Sequence, residues 1–129
     1  MSKVLLIEDD HFLSSLLRSK FQKEGFEVFY AMDGDEALNI LRTTKEKMDI
    51  ILLDLILPKK SGFEVMTEIR NDPQLQYGNI PIVIISNLGQ PEDVERAKSL
   101  GAVAYFVKAK TSINDLVEKV KEFIAAAQK

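Results

Sequence analysis

The chain of 129 residues contains no cysteine, which excludes a disulfide framework, a thiolate metal site and thiol chemistry. Positive charge is not in excess either. The net charge is −3 at pH 7, so no basic field points to direct nucleic-acid binding or to an anionic membrane. Long hydrophobic runs are missing: the apolar stretch that follows Lys3 is too short for a signal peptide or a membrane span. A cytoplasmic protein is the expectation. The seven phenylalanines are scattered at core spacing and make no platform for stacking bases. No linker, repeat or low-complexity segment breaks the pattern, so residues 1–129 are read as one domain. Hydrophobic content of 46% and charged content of 29% are ordinary for a globular protein.

What is present is a set of strand-like runs that each end in a functional group. Lys3 to Ile7 is closed by Glu8-Asp9-Asp10, and Ile50 to Leu53 by Asp54. Ile82 to Ile85 is closed by Ser86, and Val103 to Val107 by Lys108. Continuous apolar runs suit strands of a parallel sheet, because helices cover both faces. Strand-like and helical patterns alternate: 3–8 then 11–24, 26–30 then 34–46, 49–54 then 61–70, 80–86 then 91–100, 103–107 then 112–127. Five such units imply an α/β domain with right-handed crossovers. Ser61 with Glu64 and Asp33 with Glu36 have capping-box spacing, and Gly25 and Gly101 stand where helices would stop. Ile113, Leu116, Val117, Val120, Phe123 and Ile124 form one apolar stripe on the last helix. Residues 71–79 hold Pro73 and Gly78 and read as a loop.

In an open parallel sheet, ligands bind outside the carboxyl ends of the strands. The pattern therefore gathers Glu8, Asp9, Asp54, Ser86 and Lys108 at one edge. Carboxylates brought together repel, and a pKa must rise unless a cation intervenes. Mg²⁺ suits such a place, since it takes hard oxygen ligands and keeps several waters; Mn²⁺ is the alternative. Asp10 is read as the cap of the first helix, leaving Glu8 and Asp9 to face the metal. Asp54 ends a strand so apolar that its charge needs a partner. A carboxylate of this kind can attack phosphorus and form an aspartyl phosphate. Lys108 would add a second cation, and Ser86 would donate a hydrogen bond to a phosphoryl oxygen.

The segments Leu5-Leu6-Ile7-Glu8-Asp9-Asp10, Leu52-Leu53-Asp54-Leu55-Ile56-Leu57-Pro58, Ser61-Gly62, Ile84-Ile85-Ser86 and Gly101 to Lys108, in this order, resemble the receiver domain of bacterial two-component response regulators. The resemblance covers essentially the whole chain. It implies a flavodoxin-like, doubly wound fold with strand order 2-1-3-4-5. It implies that Asp54 accepts a phosphoryl group from a partner histidine kinase or phosphotransfer protein. Asp9, Asp54 and the backbone carbonyl of Ile56 would then hold Mg²⁺, with Glu8 acting through water. Ser86 and Tyr105 match the family's switch hydroxyl and aromatic switch, and Lys108 its phosphate-pairing lysine. The chain would signal to an unidentified output protein, as a monomer or a phosphorylation-dependent dimer. It would not be an enzyme beyond phosphorylating and dephosphorylating itself.

Several positions depart from the family pattern. Ala109 follows Lys108 where proline in a cis peptide is usual, which leaves a trans bond and a strained cis bond both open. Asn87 replaces a small residue after the switch hydroxyl. Ile56 and Leu88 are apolar where relatives carry polar groups, and are read as setting phosphoryl lifetime. Two further readings compete with a receiver switch. One is a Mg²⁺-dependent phosphohydrolase of the haloacid-dehalogenase type, which needs a second aspartate where Ile56 stands. The other is an unphosphorylated adaptor, against which the intact Asp9, Asp54, Ser86 and Lys108 speak. His11 is read as a solvated first-turn residue, and Lys45, Lys47, Lys59 and Lys60 as solvated surface. Nothing recognisable as an output segment follows Lys129, so a stand-alone regulator and a fragment are both open.

Overall fold

A computed structural model describes residues 2–44, 46–73, 75 and 80–127. Among these residues the chain alternates strand and helix: β1 (Lys3–Ile7), α1 (His11–Lys23), β2 (Glu27–Ala31), α2 (Gly34–Thr43), β3 (Ile50–Leu53), α3 (Gly62–Asn71), β4 (Ile82–Ser86), α4 (Pro91–Ser99), β5 (Ala102–Val107) and α5 (Ile113–Ala127). The strands form a single parallel sheet in the order β2-β1-β3-β4-β5, the flavodoxin-like arrangement.

The apolar runs divide between two cores because successive strand residues point to opposite faces. Leu5, Ile7, Ile51, Leu53, Ile82 and Ile84 pack beneath α2, α3 and α4. Val4, Leu6, Ile50, Leu52, Val83 and Ile85 pack beneath α1 and α5. On α5, Leu116, Val117, Val120 and Ile124 are buried, while Ile113 and Phe123 pack partly against the same core.

The local signals place the helix ends. Asp10 caps α1 by accepting the Leu13 N–H, and His11 is the exposed first helical residue. Ser61 and Glu64 form the reciprocal capping box, whereas at Asp33 the side chain accepts the Glu36 N–H. Gly25 (φ 90°) and Gly101 (φ 98°) end α1 and α4 in the left-handed conformation that glycine tolerates.

Some boundaries differ from the sequence pattern. Helix α2 stops at Thr43 rather than 46, and Lys45 lies outside the described residues. Asn71 closes α3 instead of opening a loop, and 74 and 76–79 of the expected loop also lie outside the described residues. Lys108–Lys110 forms a 3-10 turn that the sequence did not announce. Of the lysines read as plain surface, two are ion-paired: Lys59 with Asp33 at 3.5 Å, and Lys60 with Glu68 at 3.0 Å.

Strand order reverses between β1 and β3. Chain following β1 turns to one side of the sheet and chain following β3 to the other, so a crevice opens at their carboxyl ends.

Candidate functional site

Hydrogen bonding that continues past the strands positions the crevice residues. Asp54 N–H donates to the Ile7 carbonyl at 3.0 Å, and Glu8 N–H donates to the Ala31 carbonyl at 3.1 Å. Both acids are thus carried one residue beyond the regular ladder, with their main chains still held by a neighbouring strand. Both are removed from water: Glu8 is 0% and Asp54 3% exposed.

Lys108 reaches across from the end of β5. Its Nζ donates to Asp54 Oδ2 at 2.7 Å and lies 2.8 Å from Glu8 Oε1. The second contact has ion-pair distance without hydrogen-bond geometry, so Glu8 Oε1 is buried with no hydrogen-bond donor of its own. Glu8 Oε2 accepts the Asp10 N–H at 3.0 Å, and Asp54 Oδ1 accepts the Ile56 N–H at 3.1 Å. Burial dominates Glu8 and pushes its pKa up to about 7, against the opposing pull of Lys108 and the Asp10 N–H. Burial alone would lower Lys108, but its hydrogen bond to Asp54 and its contact with Glu8 outweigh that and raise it above 10.5.

Asp9 is exposed at the mouth of the crevice. One carboxylate oxygen from each of Glu8, Asp9 and Asp54 lies within 4.8 Å of the others. Three hard oxygens at such spacing, two of them from buried carboxylates, fit a small divalent cation, and Mg²⁺ in particular.

The loop after Asp54 is tight. Lys59 has φ 69°, and Lys60 N–H bonds the Pro58 carbonyl at 2.8 Å, a three-residue turn rare for a non-glycine. Gly62 N–H donates to the Leu55 carbonyl at 2.9 Å. A Cβ at Gly62 would stand 2.4 Å from the Asp54 carbonyl oxygen, so only glycine lets α3 approach this closely. Ile56, at the crevice mouth, is 54% exposed.

Ser86 is fully buried at the end of β4, in register with Val107. Its Oγ accepts the Leu88 N–H at 3.3 Å, which leaves the hydroxyl proton free to donate. The Tyr105 hydroxyl donates to the Leu88 carbonyl. Ser86 and Tyr105 therefore meet through the main chain of Leu88, whose side chain is half-buried against the core under α4. Burial raises the Tyr105 pKa, with the charges of Asp93 and Asp54 adding to it. The Lys108–Ala109 peptide is trans.

Sequence patterning pointed to Glu8, Asp9, Asp54, Ser86 and Lys108, and the structure gathers them at one edge. It gave no hint of Tyr30, whose hydroxyl donates to the Glu8 carbonyl at 2.9 Å. Nor did it single out Leu88 as the joint between Ser86 and Tyr105. Both contacts arise from strand register, and a tyrosine on a half-buried strand carries no sequence mark of its hydrogen-bond partner.

Comparison with known proteins agrees with the geometry. Residues 4–121 match the family model of the response regulator receiver domain. The chain is 31% identical to sporulation initiation phosphotransferase F of Bacillus subtilis over 122 residues, covering 95% of this chain and 93% of that protein. It is 35% identical to the transcriptional regulatory protein CpxR of Escherichia coli, covering 84% of this chain and only 43% of that one. Among solved structures it resembles the response regulator TrrA of Thermotoga maritima, in complex with Mg²⁺-BeF, at 28% identity. The TM-score is 0.77, with 95% of this chain and 99% of that chain covered. No described helix is long and apolar enough to cross a membrane.

Proposed function

The chain belongs to the response regulator receiver domain family, and from that premise we propose that Asp54 is the residue through which this switch accepts its phosphoryl group. Receiver domains are signalling switches that accept a phosphoryl group, and they are generally not enzymes. The observation that carries the assignment is the Asp54 carboxylate. It is buried at the end of β3, bound to Lys108 at 2.7 Å, and within reach of the Glu8 and Asp9 oxygens.

Asp9, Asp54 and the Ile56 carbonyl would hold Mg²⁺, with Glu8 acting through water. That the TrrA structure is a complex with Mg²⁺-BeF supports Mg²⁺ as the cation. When bound, the cation offsets charge on the incoming phosphoryl group. The chain's own residues do the rest. An Asp54 oxygen forms a bond to phosphorus as the bond to the donor nitrogen breaks, and the electron pair leaves with the donor imidazole. The Lys108 ammonium, already fixed on Asp54, follows the negative charge as it passes to the phosphoryl oxygens. Ser86 turns its free hydroxyl proton to one of those oxygens, and Tyr105 senses the move through Leu88.

The donor is a histidine kinase or phosphotransfer protein, and the reading places the exchange in the cytoplasm. Phe12, two residues after Asp10, and Ile56, two after Asp54, are 76% and 54% exposed, apolar side chains against which a macromolecular donor can rest. The output is contact with another protein through α4, β5 and α5, as a monomer or a phosphorylation-dependent dimer.

Incubation with a small phosphodonor such as acetyl phosphate and Mg²⁺ should add one phosphoryl group, read by intact mass. Asp54→Ala should abolish the addition. Persistent labelling in that variant would move the acceptor elsewhere.

A further inference from the structure

We propose that Tyr30 is a positioning residue for the metal-binding acids, acting through the peptide that joins Glu8 to Asp9. The inference rests on the metal-dependent reading of the site above. Tyr30 lies on the edge strand β2, in register with Leu6 of β1. Strand β2 ends at Ala31, whose carbonyl takes the Glu8 N–H at 3.1 Å. One step further along β1, the Glu8 carbonyl is held by a side chain, the Tyr30 hydroxyl at 2.9 Å. Both polar groups of the Glu8 main chain are therefore fixed from β2.

The consequence falls on Asp9. It is exposed, so packing does little to aim its carboxylate, and the backbone that carries it must do so. Rotation of the Glu8–Asp9 peptide would swing Asp9 away from the oxygens of Glu8 and Asp54, which the cluster keeps within 4.8 Å. The Tyr30 hydroxyl opposes that rotation. On the other side of the short loop, Asp10 is locked as the cap of α1.

Tyr30 is itself held. The Arg18 guanidinium lies 4.4 Å from its ring centroid, and Arg18 Nε donates to the Ser14 carbonyl at 3.4 Å. The stack couples β2 to α1 across the loop that bears the acids. Tyr30 also packs partly against the core under α1 and α5, so a purely structural role is the competing account.

Tyr30→Phe separates the two, because it keeps the ring and its stack and removes one donor. Mg²⁺ binding to the full chain is measured by calorimetric titration well below the unfolding temperature, with the Asp9 and Asp10 amide signals followed alongside. Residues that orient metal ligands from outside typically contribute ten- to a hundredfold; acting through one peptide, Tyr30 should be worth about three- to tenfold in Kd. The Asp9 amide should shift in the metal-free protein. A hydroxyl that only supports the fold would lower the unfolding midpoint and leave the Mg²⁺ Kd of the folded protein unchanged, and that result overturns the proposal. Asp9→Asn run in parallel tests the underlying reading. If it too binds Mg²⁺ as the wild type does, the metal site is wrongly placed; if it alone is weakened, only the role of Tyr30 fails. Should Tyr30→Phe not fold, Arg18→Lys keeps the charge and loses the planar stack. That variant should weaken Mg²⁺ about twofold or more, and an unchanged Kd in it overturns the proposal equally.

Discussion

At the β1–β3 end of the carboxyl edge, Glu8 and Asp54 are buried, and each has its main chain bonded to a neighbouring strand. At the β4–β5 end the attachments are sparser. Helix α4 buries only Ala97, and its cap residue Gln90 makes no side-chain capping bond. Its far end is better secured, by Gly101 at φ 98° and by Arg70, which donates to the Leu100 and Gly101 carbonyls at 3.4 and 3.2 Å. The acidic half, proposed above as the phosphoryl acceptor, thus keeps charged groups in position, as phosphoryl transfer requires. The half bearing Ser86 and Tyr105, proposed above as the switch, includes a helix that buries one residue and starts without a side-chain cap. Elements that move in signalling are drawn from such regions.

Lys108 joins the two halves, and its removal should show the largest effect. Lys108→Met leaves Glu8 and Asp54 buried without their cation. Without Mg²⁺ it should cost about 3 kcal/mol of stability, the low end for breaking a buried pair because the Lys108 side chain is 16% exposed. Added Mg²⁺ should restore part of the loss. Denaturant titration with and without Mg²⁺ reads both, and an unchanged midpoint would show that the acidic half is not held by this contact.

Next in size is a dependence on pH confined to the acidic half. Glu8 is raised from 4.5 to about 7, so across that interval the folded chain keeps a proton that the unfolded chain has lost. Metal-free stability should therefore fall as pH rises from 4.5 to 7 and level off above, by about 3 kcal/mol. Asp33, lowered by the Glu36 N–H, acts in the opposite direction but only below its ordinary 3.8. Mg²⁺ requires the ionised carboxylates, so its stabilising effect should grow through the same window. Glu8→Gln should flatten the metal-free profile; a slope that persists belongs to another group.

Ile56 and Leu88 differ in the same way, since one stands open two residues after Asp54 and the other is tied to Ser86 and Tyr105. Ile56→Asn should change dephosphorylation of Asp54 several-fold, about 1 kcal/mol in barrier, by giving an attacking water a partner. Leu88→Lys should change the rate too, together with a loss of stability from its core contact. Phosphoryl decay in Ile56→Asn equal to the wild type would show that this side chain does not set the lifetime.

The smallest expected effect is that of Tyr105→Phe. It removes one hydrogen bond to Leu88, worth about 1 kcal/mol or less in stability. Amide exchange should quicken in residues 87–92 and stay unchanged at Glu8 and Asp54. Equal changes at both ends would mean that the two halves move as one body.

Local residue patterns were enough for the strands, their parallel pairing and the identity of the groups at their ends. Runs such as Ile50–Leu53 have few uses other than a doubly covered strand, and Asp54 or Lys108 at such an end is costly unless paired. Capping residues and the stripe on α5 were legible for the same local reason. Strand order came from family resemblance, not from periodicity, which cannot say which strands are neighbours. The rest was decided by the tertiary structure. Burial drove the Glu8 proton affinity upward, and register brought the Tyr30 hydroxyl to the Glu8 carbonyl. The turn beyond β4 made Leu88 the link between Ser86 and Tyr105. The Tyr30–Glu8 and Tyr105–Leu88 contacts join residues 22 and 17 positions apart, and the Glu8 shift is a change in solvation. Both depend on where neighbouring strands stop, which no local pattern encodes.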